Sequence, residues 1–299
     1  MSIDIAVIPV AGRGTRLLPL TKSQPKEMLP VGRKPVVQYV VEELAHSGIQ
    51  KLLFITGPDK GVIENHFDIQ AELIQHLRET HKEELLGELD FDRNGLAYLY
   101  TRQRRQLGLG HAVLCARPLV RDSAFVVALG DSLIGPERPS TVVGRLIELF
   151  ETMGAEAAIA FEEVPWNDVA HYGIAQPRGE AGEVFELADL VEKPHRADAP
   201  SNLAIAARYV LAPSVFDALE RTDPGKGNEI QLTDALRLVL QDGGKIVGLR
   251  LAEGETRFDV GSFDSYFRAF AAYALADPEH GEAVRRDLER LLNQCERLV

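Results

Sequence analysis

The chain has 299 residues, 45% of them hydrophobic and 26% charged, enough to bury a sizeable core as one large domain or two closely joined ones. Its formal charge of −12 at pH 7 excludes a broad nucleic-acid-binding face, which needs a basic stripe to displace counterions. No run of eighteen apolar residues occurs and Met1 to Val10 lacks the order of a secretory signal, so no membrane attachment is expected and the expected place is the cytoplasm.

In chain order, Ile3 to Val10 is an apolar run ending at a glycine-bearing loop, the pattern of a strand covered on both faces. Val36 to Ala45 follows with apolar residues at helical spacing, then the apolar strand Lys51 to Thr56, closed by Gly57-Pro58. Strand, helix, strand in this order predicts a right-handed crossover and parallel pairing. The alternation continues with strand Ala97 to Thr101, helix Gly110 to Arg117, strand Ala124 to Leu129 and helix Val142 to Met153. From Ala155 strands dominate: Ala155 to Phe161, Gly173 to Gln176, Glu183 to Glu192, Leu203 to Leu211 and Lys245 to Leu251. Without a Pro- or Ser-rich linker or a repeat, the two halves are expected to share one core.

Local chemistry is sharper than the composition. Between Ile5 and Val41 stand Arg13, Arg16, Lys22, Lys26, Arg33 and Lys34 against one acid, Glu27. In an acidic protein this is either a solvated basic face or a compact polyanion site. Directly after the first strand comes Val10-Ala11-Gly12-Arg13-Gly14-Thr15-Arg16, whose glycines let backbone N–H groups approach a phosphate or nucleotide. The loop lacks the third glycine of the dinucleotide fingerprint and the Gly-Lys-Ser/Thr ending of the P-loop. Alone, it serves equally well as a tight turn. Cys115 and Cys295 have no metal-ligand spacing and fall in apolar patterns that suit small buried thiols.

Ten residues on stands Pro25-Lys26-Glu27-Met28-Leu29-Pro30, and the two segments together resemble the sugar nucleotidyltransferases. The resemblance extends through Ile63-Glu64-Asn65-His66-Phe67-Asp68, Gly108-Leu109-Gly110-His111-Ala112-Val113, Val191-Glu192-Lys193-Pro194, Ser201-Asn202-Leu203-Ala204 and Asn228-Glu229-Ile230-Gln231-Leu232-Thr233-Asp234. Glu-Asn-His-Phe-Asp and Gly-Leu-Gly-His-Ala look like the bacterial UTP:glucose-1-phosphate uridylyltransferase branch in particular.

The resemblance implies an α/β fold with a Rossmann-like mixed, mostly parallel central sheet flanked by helices. It implies a single nucleotidyltransferase domain over 1–299, with a nucleotide-binding half to about residue 154, a sugar-phosphate-binding half over about 155–276 and a C-terminal helix over about 279–298. The implied reaction joins UTP to glucose 1-phosphate with magnesium as cofactor. Arg16 and Lys26 resemble the side chains that hold the triphosphate, Ala11 and Gly12 the backbone against the nucleoside, and Glu27 the ribose contact. Gln103 matches the position that reads the pyrimidine edge, with Gly108 lending backbone groups; an amide can donate and accept together, as uracil requires. Lys193 resembles the sugar-phosphate lysine, Glu192 the acid on the hexose hydroxyls, and Gly173 the close backbone approach. Asp131 and Asp259 match the metal ligands, although Ser132 stands where many relatives carry a second acid. Glu229 and Gln231 are carried over as loop-fixing residues. His111 begins a helix and is given no catalytic role.

Two other readings share these motifs: a thymidylyl- or guanylyltransferase using the same polyanion chemistry, and a non-catalytic regulatory relative, against which Thr15, Arg16, Gly173, Asn228 and Glu229 all speak. Near the end, Val284, Leu288, Leu291, Cys295 and Leu298 form one apolar helical stripe with charged residues between them. It packs either on the chain's own core or on a second subunit, and the family's habit of forming homodimers or homotetramers favours the second.

Overall fold

The computed structural model describes residues 3–92, 95–136 and 140–295. Its strands are β1 (Ile5–Pro9), β2 (Pro30–Val31), β3 (Lys34–Pro35), β4 (Lys51–Thr56), β5 (Ala97–Arg102), β6 (Phe125–Ala128), β7 (Ser132–Gly135), β8 (Ala157–Glu163), β9 (Gly173–Pro177), β10 (Val184–Glu192), β11 (Leu203–Leu211), β12 (Ile246–Arg250) and β13 (Thr256–Asp259). The helices are α1 (Val36–His46), α2 (Gly61–His66), α3 (Ala71–Glu79), α4 (Leu109–Leu114), α5 (Arg117–Val120), α6 (Val142–Met153), α7 (Val215–Arg221), α8 (Leu232–Gln241), α9 (Phe263–Leu275) and α10 (Gly281–Cys295).

Nine strands form one mixed sheet in the order β5-β4-β1-β6-β11-β8-β12-β10-β9. β5, β4, β1 and β6 run parallel, as the crossover rule requires. Beyond β6 the pairings are antiparallel except for β8 with β12. The sheet runs without a break across the join between the two halves, because β6 pairs with β11.

The β1 sequence shows why the centre is stable. Ile5 and Val7 enter one core with Val113 of α4, Phe216 of α7 and Leu236 of α8. Ala6 and Ile8 enter the opposite core with Val40 and Leu44 of α1 and Val143 and Leu146 of α6. Period-two alternation thus buries both faces of an all-apolar strand, giving a helix–sheet–helix sandwich.

Several helix ends follow local rules. Gly154 closes α6 in the left-handed conformation at φ 56°, and Ser262 with Ser265 makes a capping box that starts α9. The single helix expected over Gly110 to Arg117 is instead two, α4 and α5, with Pro118 in the first turn of the second. Pro118 has no N–H to bond back to Leu114 O, where α4 ends, and a proline in the first turn starts a helix well.

The periodicity gives no counterpart for α7, α8 and the β2–β3 pair, nor for three features near the site. α2 and α3 fill the connection after β4, α9 follows β13, and the short antiparallel pair β7–β13 sets Ser132 opposite Asp259. Four-residue strands carry too few positions to show a period. The C-terminal helix packs on α9, yet Leu288 and Leu291 stay 38% and 55% exposed; Leu298 lies outside the described residues. No helix of the described residues is long and apolar enough to cross a membrane.

Candidate active site

The four parallel strands β1, β4, β5 and β6 deliver their following loops to one edge of the sheet, the place where α/β proteins gather ligands. Those loops carry Ala11 to Arg16, Lys60, Gln103 and Asp131. Val10 N donates to Ile55 O at 3.0 Å and anchors the first loop to β4. Gly14, at φ 65°, then turns the chain into a short 3-10 segment that leaves Arg16 exposed.

Lys26, in the 3-10 turn Lys26–Met28, ion-pairs through Nζ with Asp131 Oδ2. A side chain added at Gly12 would meet the Lys26 Cε at 3.6 Å, so the glycine loop lies along the lysine stem. Asp259 arrives from the far end of the chain because β13 pairs with β7, and Val260 N donates to Asp131 O at 2.8 Å. Burial opposes the charge on both acids. Lys26 outweighs it at Asp131 and holds that carboxyl below its usual range. At Asp259 burial and the neighbouring Asp131 together prevail, and its pKa is raised. For Lys26, too, burial disfavours the charge, but Asp131 and Glu27 more than offset it and the pKa rises.

Two partly buried carboxylates meet in one spot, with Lys26 against Asp131 and Arg257 bearing on Asp259. That donor set fits magnesium, which takes one or two carboxylates and completes its shell with phosphate oxygens and water. Among the described residues no cluster of three or more His, Cys, Asp or Glu could form a cage of protein ligands alone.

Glu27 sits deeper than its implied ribose contact suggests. It is buried, and Lys60 Nζ donates to its Oε2 at 2.8 Å; burial nonetheless raises its pKa. The sequence marks Lys60 only by its place just after a parallel strand. Gln103 N donates to Thr56 O at 2.9 Å, and its Nε2 donates to Gly108 O at 3.0 Å and faces His111 Nδ1 at 3.0 Å. Burial lowers the His111 pKa, which favours the neutral ring able to accept that bond. A second glutamine closes the loops after β1 and β5 on each other. Gln106 Nε2 donates to Ala11 O at 2.7 Å, while Arg13 Nε donates to Gln106 Oε1 at 2.8 Å.

Gly173 opens β9 in register with Glu192 of β10, and a Cβ there would come within 2.9 Å of Thr233 Oγ1 and 3.2 Å of Glu192 Oε2. Glu192 accepts from Thr233 Oγ1 at 2.7 Å and pairs with Lys193 Nζ at 3.1 Å. Lys193 adopts φ 46°, its N donating to Tyr172 O at 2.9 Å and its carbonyl accepting from Lys226 Nζ at 2.8 Å. Gln231 Nε2 donates to Lys226 O at 3.0 Å and to Glu229 Oε2 at 3.3 Å.

Two links join the loops after β1, β4, β5 and β6 to the group around Gly173, Glu192 and Lys193. Ile230 N donates to Leu107 O at 2.7 Å and Gly110 N to Ile230 O at 2.8 Å, and a Cβ at Gly108 would strike Glu229 and Ile230 at 2.7 Å. Arg257, absent from the sequence reading, pairs with Glu162 and lies 4.5 Å over the Tyr172 ring. It is one position before Phe258 and also bears on Asp259. A cavity of about 590 Å³ between α1, β7 and the end of α9 holds none of these groups; loop ends and charge identify this site better than concavity.

Mixed sheet, glycine loop, lysine and paired aspartates define a phosphate-transferring α/β enzyme class. A sequence profile of the nucleotidyl transferase family matches residues 5–275, and the chain belongs to that family. It is 45% identical over 289 residues to the UTP–glucose-1-phosphate uridylyltransferase YngB of Bacillus subtilis, covering 97% of this chain and 95% of that protein. Among solved structures, the UTP-bound UGPase of Acinetobacter baumannii superposes with a TM-score of 0.88 at 37% identity, covering 97% and 99% of the two chains. A UDP-glucose pyrophosphorylase complexed with UDP-glucose superposes at 0.81 with 38% identity, covering 91% and 98%.

Proposed function

We propose that this chain transfers the uridylyl group of UTP to glucose 1-phosphate, releasing UDP-glucose and pyrophosphate in the cytoplasm. The observation that carries the reading is the juxtaposition of Lys26, Asp131 and Asp259 at the sheet edge, linked through Arg257 and Tyr172 to Gly173, Glu192 and Lys193. The relatives named for UTP and UDP-glucose support both substrates.

In the reaction a phosphate oxygen of glucose 1-phosphate attacks the α-phosphorus of UTP, and the bond to the bridging oxygen of pyrophosphate breaks. A phosphate monoester, with a second pKa of about 6, is already largely a dianion at neutral pH, so no side-chain base has to take a proton. The obstacle is charge. Each pair of like unit charges about 4 Å apart costs on the order of 4 kcal/mol at an effective dielectric of about 20. Arg16 and Lys26 hold the triphosphate and stabilise the leaving pyrophosphate, while Lys193 holds the sugar phosphate and Glu192 the hexose hydroxyls. Magnesium held by Asp131 and Asp259 would supply the remaining charge neutralisation. Ala11, Gly12 and Gly108 present backbone groups to the nucleoside, with Gln103 at the base and Glu27 beneath the ribose.

Pyrophosphate release across a panel of triphosphates and sugar 1-phosphates should give its highest kcat/KM for UTP with glucose 1-phosphate and require magnesium. A clear preference for dTTP or for mannose 1-phosphate overturns the assignment. Within the same panel, Gln103→Ala should narrow the ratio of kcat/KM for UTP over CTP by about tenfold, about 1.4 kcal/mol, leaving the sugar KM unchanged. An unaltered ratio moves base reading to another residue.

The exposed side of α10 suits a second copy of this chain. Leu288, Leu291 and Leu292 form an apolar patch there, with Phe267 and Phe270 exposed on the neighbouring α9. Light scattering of Leu288→Glu and Leu291→Glu should show folded protein of smaller mass than the parent. Unchanged mass with a lowered melting temperature places the stripe on the chain's own core instead.

A further inference from the structure

Arg208, on β11, has a fully buried side chain, and so nearly does its partner Glu43, on α1. Nη2 donates to Glu43 Oε2 at 2.7 Å, and Nε lies 3.2 Å from both carboxylate oxygens. Ser140 Oγ adds a bond to Glu43 at 3.0 Å. An ion pair in such a place is weak evidence for stability, since apolar residues of the same volume often do as well. Its use must be sought in what else the guanidinium touches.

It touches two backbone carbonyls. Nη2 donates to Ser132 O at 2.9 Å and Nη1 to Ala207 O at 3.0 Å. Ser132 follows Asp131 directly. Ala207 adopts φ 59° in a stretch where β11 shifts its register against β8, and its carbonyl also accepts from Leu129 N at 3.2 Å. A left-handed alanine is strained, and such strain persists where surrounding bonds over-determine it. The turn from Leu129 to Ser132 is therefore held at both ends by carbonyls that meet in one guanidinium, with Asp131 between them. Its middle is held by Val260 N on Asp131 O. Lysine cannot replace this, because only a planar fork reaches a carboxylate and two carbonyls together.

We propose that the buried Arg208–Glu43 pair is a positioning device that fixes the Asp131 turn for metal–nucleotide binding, an inference that rests on the metal role given to Asp131 above. Neither residue touches substrate; the pair acts through backbone geometry, where a misplacement of about 1 Å costs up to about 100-fold in rate.

The test compares Arg208→Lys, the double variant Glu43→Gln/Arg208→Met and Asp131→Asn with the parent. Water-proton relaxation follows binding of the Mn2+–UTP complex, calorimetry follows UTP alone in EDTA, and kinetics give kcat and KM. The double variant should bind UTP in EDTA within threefold of the parent but Mn2+–UTP at least tenfold more weakly. Its kcat should fall at least tenfold with KM for glucose 1-phosphate within threefold. Arg208→Lys should lie between, at least threefold weaker for Mn2+–UTP. A folded double variant with Mn2+–UTP affinity and kcat within twofold of the parent overturns the proposal. If the double variant does not fold, Arg208→Lys decides alone: parent-like Mn2+–UTP binding overturns, and the threefold loss supports. Asp131→Asn separates the two layers. Parent-like Mn2+–UTP binding by that variant removes the metal role and the positioning role with it, whereas its loss beside unaffected Arg208 variants removes the positioning role alone.

Discussion

Asp131→Asn should lower kcat by at least about 1000-fold, about 4 kcal/mol of transition-state stabilisation, while unfolding free energy moves by no more than about 1 kcal/mol. The first effect follows from replacing a charged oxygen at the meeting point of Lys26 and Asp259 with a neutral amide that holds a cation poorly. The second follows from two opposed changes. Lys26 loses its ion pair, but it keeps the field of Glu27 and Asp259. At the same time Asp259 loses the like charge that raises its pKa. Chemical denaturation beside steady-state kinetics checks both. Retained turnover removes Asp131 from the reaction, and a large loss of stability makes it a structural residue.

Lys193→Ala should reduce kcat/KM for glucose 1-phosphate by about 100-fold, about 2.7 kcal/mol, with the KM for UTP within about twofold. The lysine directly follows the strand that pairs with Gly173, beside Glu192, the place proposed above for the sugar phosphate. Its backbone is fixed from two sides, by Tyr172 O and Lys226 Nζ, at an unfavourable positive φ. A residue held this firmly projects a charge into one place, so truncation is felt by one substrate. Initial-rate kinetics with each substrate varied in turn gives the two constants separately. A larger effect on UTP than on the sugar phosphate reassigns Lys193 to the triphosphate.

Strands buried on both faces announced themselves. Lys51–Thr56 and Leu203–Leu211 were readable to the residue, and so was the amphipathic helix Val142–Met153, because apolar periodicity is a local property. The motifs marked the edge that carries the candidate site, since the glycine loop, Gln103 and Asp131 follow strands that the same periodicity finds. What could not be read was pairing at a distance. Asp259 reaches Asp131 only through a four-residue antiparallel ladder, and Lys60 reaches Glu27 only because α2, which begins just after it, packs on the 3-10 turn Lys26–Met28. Arg257 and Arg208 look like ordinary surface cations in sequence, and burial of a charge is a tertiary fact. Gln106 carries no signal in sequence, because its bond to Ala11 O joins two loops that are far apart along the chain.

The Lys26–Asp131 pair has a further meaning for the protein between turnovers. Sites built around a structural metal gain their folding energy from the ion and unravel when it is removed. Here a lysine of the chain itself already sits against the carboxylate, as an internal counterion. Under the metal role proposed for Asp131, the fold would not depend on metal supply: an ion bound with the nucleotide could come and go, and each departure would return the aspartate to Lys26. Scarcity of divalent cations would slow such an enzyme without consigning it to unfolding and degradation.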